Sequence, residues 1–173
     1  MQLKIRSGGQ TGVDRTALEI AKTLGLRTGG FVPRGCKTER GPAPELVTEF
    51  GCTETASEDY IVRTSLNVQA SDATIWFGRT GTRGFRATLK HVQAYRRPYL
   101  LNPMSIESIV TFIRTYGVQD LNVAGNRAST LAPRTLPHMH EVLGGALSLL
   151  IAQEVPSRTS EIPPVESNSS SKV

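Results

Sequence analysis

Three glycines fall within five positions near the start of the chain, in Ser7-Gly8-Gly9-Gln10-Thr11-Gly12-Val13-Asp14. Adjacent glycines let a backbone come close to an oxyanion and turn successive N–H groups toward it. Thr11 adds a hydroxyl donor. A helix opening at Val13 would add its unpaired N–H groups and the positive end of its dipole. The chemistry this predicts is anion binding, by a cradle made of Gly8, Gly9, Gln10, Thr11 and Gly12 for the phosphate of a small cofactor or nucleotide. Asp14, in the first turn of that helix, is either a partner of the dipole or a contact for a ligand hydroxyl, amine or cation. The pattern is neither GxGxxG, which needs a further glycine, nor a Walker A loop, which needs Gly-Lys-Ser/Thr.

Two more turns carry similar chemistry. Gly78-Arg79-Thr80-Gly81-Thr82-Arg83-Gly84 offers Gly81 and Thr82 as contacts, and Arg79, Arg83 and Arg86 as clamps for phosphate or carboxylate oxygens. Asn122-Val123-Ala124-Gly125-Asn126-Arg127-Ala128-Ser129 offers Asn122, Gly125 and Ser129 to complete a pocket, with Asn126-Arg127 reading as solvent-facing turn chemistry. From Pro33 to Pro42 the chain is polar and bracketed by prolines, which predicts an ordered lid bearing Arg34, Lys37 and Arg40. Cys36 within it reads as a bystander rather than a reactive thiol. Arg63 and Asn67 are four apart on an expected helix, so they share a face, either for joint recognition or as an ordinary surface row. Groups for catalysis are scarcer. His91, His138 and His140 lack a carboxylate at ligand spacing, and there is neither a Gly-x-Ser-x-Gly elbow nor a clear Cys–His pair.

These turns need strands and helices to present them. The apolar pattern predicts strands at Leu3–Arg6, Gly30–Val32, Cys52–Thr55, Ala73–Phe77, Pro98–Leu101 and Leu121–Ala124. It predicts helices over Val13–Leu24, Tyr60–Gln69, Phe85–Arg96, Ile106–Tyr116 and Pro133–Gln153, with the Pro33–Pro44 stretch as loop. Strands separated by helices imply a mostly parallel sheet with helices on both faces, an α/β Rossmann-like domain. In such sheets the strand-to-helix turns share one edge, where ligands bind. The domain is expected over residues 1–153. The Pro-, Ser-, Glu- and Asn-rich stretch 154–173 is expected to be a disordered tail.

Bulk properties narrow the function classes. The chain has 173 residues and a formal net charge of +5, which favours anionic ligands, while 6% aromatic residues supply few platforms for stacking bases. Nucleic acid is therefore not the expected partner. Two cysteines form neither a disulfide framework nor a metal knuckle and suit a reducing cytoplasm. Neither a signal peptide nor a stretch of membrane-spanning length is expected.

Taken in order, Ser7 to Arg15, the Gly30–Pro33 turn running into Gly35, Lys37, Gly41 and Pro42, the Tyr60-x-x-Arg63-Thr64-x-x-Asn67-Val68 row, Ser71-Asp72-Ala73-Thr74, and Asn122 to Gly125 with Arg127 and Ser129 resemble the molybdenum cofactor carrier proteins. The resemblance spans about Ile5 to Ile151 and extends to the wider SLOG group of Rossmann-like proteins, which includes phosphoribohydrolases that release cytokinin bases. It implies a non-catalytic carrier or store whose cargo is the molybdenum cofactor (molybdopterin), with phosphate, sulfate or molybdate as stand-ins. It also implies assembly into a dimer or tetramer and delivery to molybdoenzymes or cofactor-biosynthesis proteins. On this resemblance Gly8 to Gly12 receive oxyanion oxygens, and Lys37, Arg63, Asn67 and Ser129 line the site. The chain departs from the pattern at Arg79 to Gly84, where relatives are expected to show Gly-Gly-Thr. Where the hydrolases are expected to place a catalytic glutamate, this chain has Phe85. The rival expectations are a nucleoside-monophosphate phosphoribohydrolase, with Asp14 or Glu39 supplying the carboxylate, and a nucleotide-sensing module.

Overall fold

The computed structural model describes residues 3–153. In chain order the elements are β1 (Lys4–Arg6), α1 (Val13–Thr23), β2 (Arg27–Val32), a 3₁₀ turn (Arg34–Cys36), β3 (Lys37–Thr38), β4 (Gly41–Pro42), α2 (Glu45–Thr48), β5 (Cys52–Glu54) and α3 (Tyr60–Gln69). They continue with β6 (Ala73–Phe77), α4 (Arg83–Ala94), β7 (Tyr99–Leu101), α5 (Ile106–Thr115), β8 (Asp120–Gly125), a 3₁₀ turn (Ala128–Thr130) and α6 (Thr135–Met139). A π turn (His140–Gly144) leads into α7 (Gly145–Ala152). Six strands form one sheet in the order β5-β2-β1-β8-β6-β7, and every pairing in it is parallel. The strands β3 and β4 form a separate antiparallel hairpin.

Right-handed crossovers fix which face each helix covers. The chain moves one way from β1 to β2 and from β7 to β8, so α1 and α5 share a face. It moves the other way from β5 through β6 to β7, so α3 and α4 cover the opposite face. The main core follows: Ile5, Ile75, Leu121 and Val123 of the sheet are buried with Ile20, Ile109, Ile113, Leu143 and Leu147 from α1, α5 and the α6–α7 segment. Each such side chain contributes roughly 1.5–3 kcal/mol by leaving water. A smaller cluster of Leu18, Val32, Cys36, Leu46, Phe50 and Cys52 lies under the segment expected to be a lid.

Several boundaries differ from expectation. The second strand starts at Arg27, three residues early, because its first residues are polar and only Gly30 onward pairs with β5. The Pro33–Pro44 stretch is not plain loop but contains a 3₁₀ turn and the β3–β4 hairpin, and α2 follows directly. Helix α4 begins at Arg83 because the Thr82 side chain accepts from the Phe85 N–H and caps it. Strand β7 begins after Pro98, whose carbonyl accepts from Thr74 N–H. The last helix starts at Thr135 rather than Pro133 and is interrupted by the π turn. The expected tail lies outside the described residues. Among the described residues no helix is long and apolar enough to cross a membrane.

Candidate functional site

The turns after β1, β6 and β8 leave neighbouring strands of a parallel sheet, so they emerge together on one edge. The sheet winds outward from this centre in both directions, and in such sheets ligands bind in a crevice outside the carboxyl ends of the strands at that point. The glycine turn Ser7–Gly12 lies there, directly after β1.

At all three glycines of this turn an added β-carbon would meet another atom at less than 3.0 Å. At Gly8 a β-carbon would lie 1.6 Å from Nη1 of Arg63, whose guanidinium lies across the backbone at that point. At Gly12 φ is +85°, and a β-carbon would stand 2.7 Å from both Ala128 N and Asn126 O, so the β1 and β8 turns are in backbone contact. Gly9 admits Leu46, whose Cδ1 would be 2.7 Å from an added β-carbon, so α2 packs against the underside of the turn. Among the described residues the N–H groups of Gly8, Gly9, Gly12 and Asp14 have no hydrogen-bond partner within the chain, and α1 has no side-chain cap. Helices α3, α4 and α5, by contrast, are capped by Asp59, Thr82 and Ser105.

Asp14 and Arg63 form a buried ion pair with Nη1 and Oδ2 3.1 Å apart. Burial pushes the Asp14 carboxyl above its ordinary range, while the Arg63 charge and backbone N–H groups of Gln10 and Gly125 hold it down. Asp14 thus anchors Arg63 over Gly8. Among the described residues the Arg63 Nε, like that of Arg97, is buried without a partner, and the Arg63 guanidinium carbon lies 5.9 Å from the Tyr60 ring centre. A buried N–H left without an acceptor calls for one, whether a water, an ion or a ligand.

A second set of donors lies at the other end of the turn. Thr11 Oγ1 donates to the Glu39 carboxylate, as do the Ser129 N–H (3.2 Å) and the Ser129 hydroxyl. The Gln10 side chain turns toward the β3–β4 hairpin. Its Oε1 accepts from Thr11 N–H and Glu39 N–H, both at 2.9 Å, and so joins the β3–β4 hairpin to the cradle. Desolvation alone would raise the Glu39 carboxyl, but the Ser129 and Thr11 hydrogen bonds and the Arg127 charge outweigh it and hold the group below its ordinary value.

Other candidates from the sequence have different posts. Asn67 is buried, and its amide donates to Phe31 O (2.9 Å) and accepts from Phe31 N–H (2.8 Å), standing in for a strand neighbour where β1 has ended. Asn122 is buried within β8 and donates to Thr74 of β6. Lys37 is exposed and pairs with Glu58 at 3.5 Å rather than with the glycine turn. Thr82 caps α4 and accepts from Asn126, whereas Gly81 has open space around its α-carbon. Gly125, the last residue of β8, lies against Val13 and Phe77 O. Cys36 and Cys52 are buried, and burial pushes the Cys52 thiol up to about 12. Asp72, at the far edge of the sheet, accepts from the N–H groups of Gln119 and Asp120.

Asn126 is not solvent-facing turn chemistry. It is 5% exposed; its Oδ1 accepts from Arg79 N–H and its Nδ2 donates to Thr82, so it ties the β6 turn to the β8 turn. Glu39 is the other residue whose place the sequence does not reveal, because nothing local to it signals Thr11 or Ser129. A cleft of about 480 Å³ by Arg97, Tyr99 and Tyr116 lies by the start of β7, at the edge opposite the glycine turns.

Fold and site together define a Rossmann-like α/β protein with a glycine-rich turn at the centre of a parallel sheet. The circularly permutated YpsA SLOG family matches residues 5–146, and the chain belongs to it. It is also similar to a crystal structure of a "Putative molybdenum carrier protein" from Syntrophus aciditrophicus, with 34% identity, 83% of this chain and 94% of that chain covered, and a TM-score of 0.73. No curated protein matches the chain.

Proposed function

We propose that this protein is a carrier that holds the molybdenum cofactor by its anionic groups without turning it over. The observation that supports this most is the occupied end of the glycine turn, where Thr11 and Ser129 already converge on a carboxylate. Donors arranged for one oxyanion suit another. The unpartnered N–H groups of Gly8, Gly9 and Gly12 and the Nε of Arg63 supply a second acceptor position along the same turn. Two positions fit an elongated ligand with a phosphate at one end and oxo groups at the other.

The named Syntrophus relative points to molybdenum, and the donor set points to its phosphate and oxo groups rather than to the metal. Among the described residues no cluster of three or more His, Cys, Asp or Glu is placed to hold a metal ion. Arg63, Thr11, Gly8, Gly9, Gly12 and Ser129 would hold the cargo, with Asp14 orienting Arg63. Absence of turnover is favoured by Phe85, which packs edge-to-face on Trp76 with ring centres 5.2 Å apart where a hydrolase of this group would need its carboxylate. Assembly into a dimer or tetramer would cover Tyr99, Leu101 and Met104 along the open β7 edge, all of them exposed.

The test is reconstitution. Purified protein mixed anaerobically with molybdenum cofactor released from a molybdoenzyme is expected to co-elute with it and to slow its oxidative decay. Free cofactor decaying at the same rate with and without protein would overturn the carrier reading. Release of free base from a nucleoside monophosphate would replace it with the hydrolase.

A further inference from the structure

The cradle's occupant belongs to the chain. Resting on the anion-cradle reading, we infer that Glu39 is a displaceable internal anion that restricts the cradle to ligands carrying a dianionic group.

Glu39 lies between β3 and β4, at the tip of the hairpin. Both of its carboxylate oxygens are engaged, Oε1 by Thr11 Oγ1 and Ser129 N–H and Oε2 by Ser129 Oγ. The two donor residues come from the turns after β1 and β8, the same backbone that forms the cradle. The hairpin does not depend on this contact alone. Gln10 holds the Glu39 N–H, Thr38 Oγ1 donates to Gly41 O at 2.7 Å, and Ala43 N–H donates to Cys36 O at 3.0 Å. The carboxylate can therefore rotate out to solvent with the hairpin still held, though more loosely, by these bonds. The Glu39 side chain is only half-buried, so the exit is short.

An incoming anion must then replace a carboxylate rather than water. A second carboxylate or a halide offers no more charge than Glu39 and lacks its covalent tether, so it loses the competition by effective concentration. A phosphate monoester or sulfate brings two charges and three or more acceptor oxygens, enough to take the Thr11 and Ser129 donors and the neighbouring free N–H groups together. The ligand's apparent affinity is lowered by the fraction of time Glu39 is in place. Glu39 thus trades affinity for discrimination.

Calorimetric titration of the full chain with sulfate, inorganic phosphate and acetate tests this, comparing wild type with Glu39→Gln and Glu39→Ala, each first shown to melt cooperatively. Wild type is expected to bind sulfate and phosphate but not acetate. Glu39→Gln, which keeps the shape and loses the charge, is expected to bind sulfate on the order of tenfold tighter. Glu39→Ala is expected to gain acetate binding, because free acetate refills the vacated position. Equal sulfate affinity in wild type and Glu39→Gln would overturn the displaceable anion while leaving the cradle intact. Weaker sulfate binding in Glu39→Gln would overturn it as well, by making Glu39 a ligand contact. Failure of every variant to bind any of the three anions would remove the cradle itself, and the inference with it.

Discussion

Asn67 and Arg63 project from neighbouring turns of one helix, yet the structure gives them different work. The Asn67 amide closes two hydrogen bonds with the Phe31 backbone, and Arg63 lies over Gly8 with Asp14 beneath it. Truncating Asn67 leaves a buried N–H and C=O unpaired, which costs about 2–3 kcal/mol. Asn67→Ala is therefore expected to lower the melting temperature while leaving sulfate affinity within about twofold, read by calorimetry on the protein still folded at low temperature. Arg63→Met strips the buried Asp14 carboxylate of its partner, at a cost of about 3–5 kcal/mol. Adding Asp14→Asn to Arg63→Met is expected to restore most of that stability but none of the anion affinity. If the double variant bound sulfate like wild type, Arg63 would be an ion-pair residue and no more. At this scale the sequence is legible only where the pattern is local. Gly8, Gly9, Thr11 and Gly12 form their turn within a few residues, so type and spacing reveal it. The Asn67 partner is 36 positions away, and Asn126 reaches Arg79 across 47, distances that no local pattern encodes.

The elements show the same division. Helix α3 and strand β6 have the bounds their apolar periodicity predicts, because propensity, caps and burial agree along each. The segment after Pro33 has no period of its own; contacts with Gln10, Glu54 and Ser129 shape its turn and hairpin. Its attachment has a pH signature. The Glu39 carboxyl is held below its ordinary value of 4.5, so its contribution is complete above that value and is lost as pH falls through the lowered one. Amide exchange at Thr38–Arg40, corrected for intrinsic rates, is expected to accelerate as acid protonates Glu39. The β6 and β8 strands should remain protected over the same interval. Glu39→Gln should exchange at the faster rate already at neutral pH, and a variant as slow as wild type would show that the Gln10 contact alone holds the hairpin. On the other side of the crevice, Asn126→Ala removes the bonds to Arg79 and Thr82 and should loosen the β6 turn, at about 1–3 kcal/mol.

Across the whole molecule, the strand that arrives last in the chain sits in the middle of the sheet. The parallel class is legible from the alternation of strands and helices, but nothing in the β8 residues says that they insert between β1 and β6 rather than beyond β7. That order has a consequence for the site. Ser129 and Asn126 follow β8, so the proposed cradle is incomplete until the last third of the chain has folded. Connectivity and architecture can be separated experimentally. Gly117 lies exposed in the turn between α5 and β8, at φ +58°, where a break disturbs little packing. A permuted chain opened there, with residue 153 joined to residue 3 by a flexible Gly/Ser linker, would begin with the β8–α7 unit and continue through β1. It is expected to build the same sheet, to melt cooperatively within about 2 kcal/mol of the parent, since loop-closure terms grow slowly with length, and to bind sulfate with unchanged affinity. Deletion of residues 118–153 is expected to abolish cooperative melting, because β1 and β6 then face each other across a missing strand. A permuted chain that folds but cannot bind sulfate would mean that the covalent path from α5 into β8 itself shapes the crevice, and the cradle could no longer be treated as the meeting of independent turns.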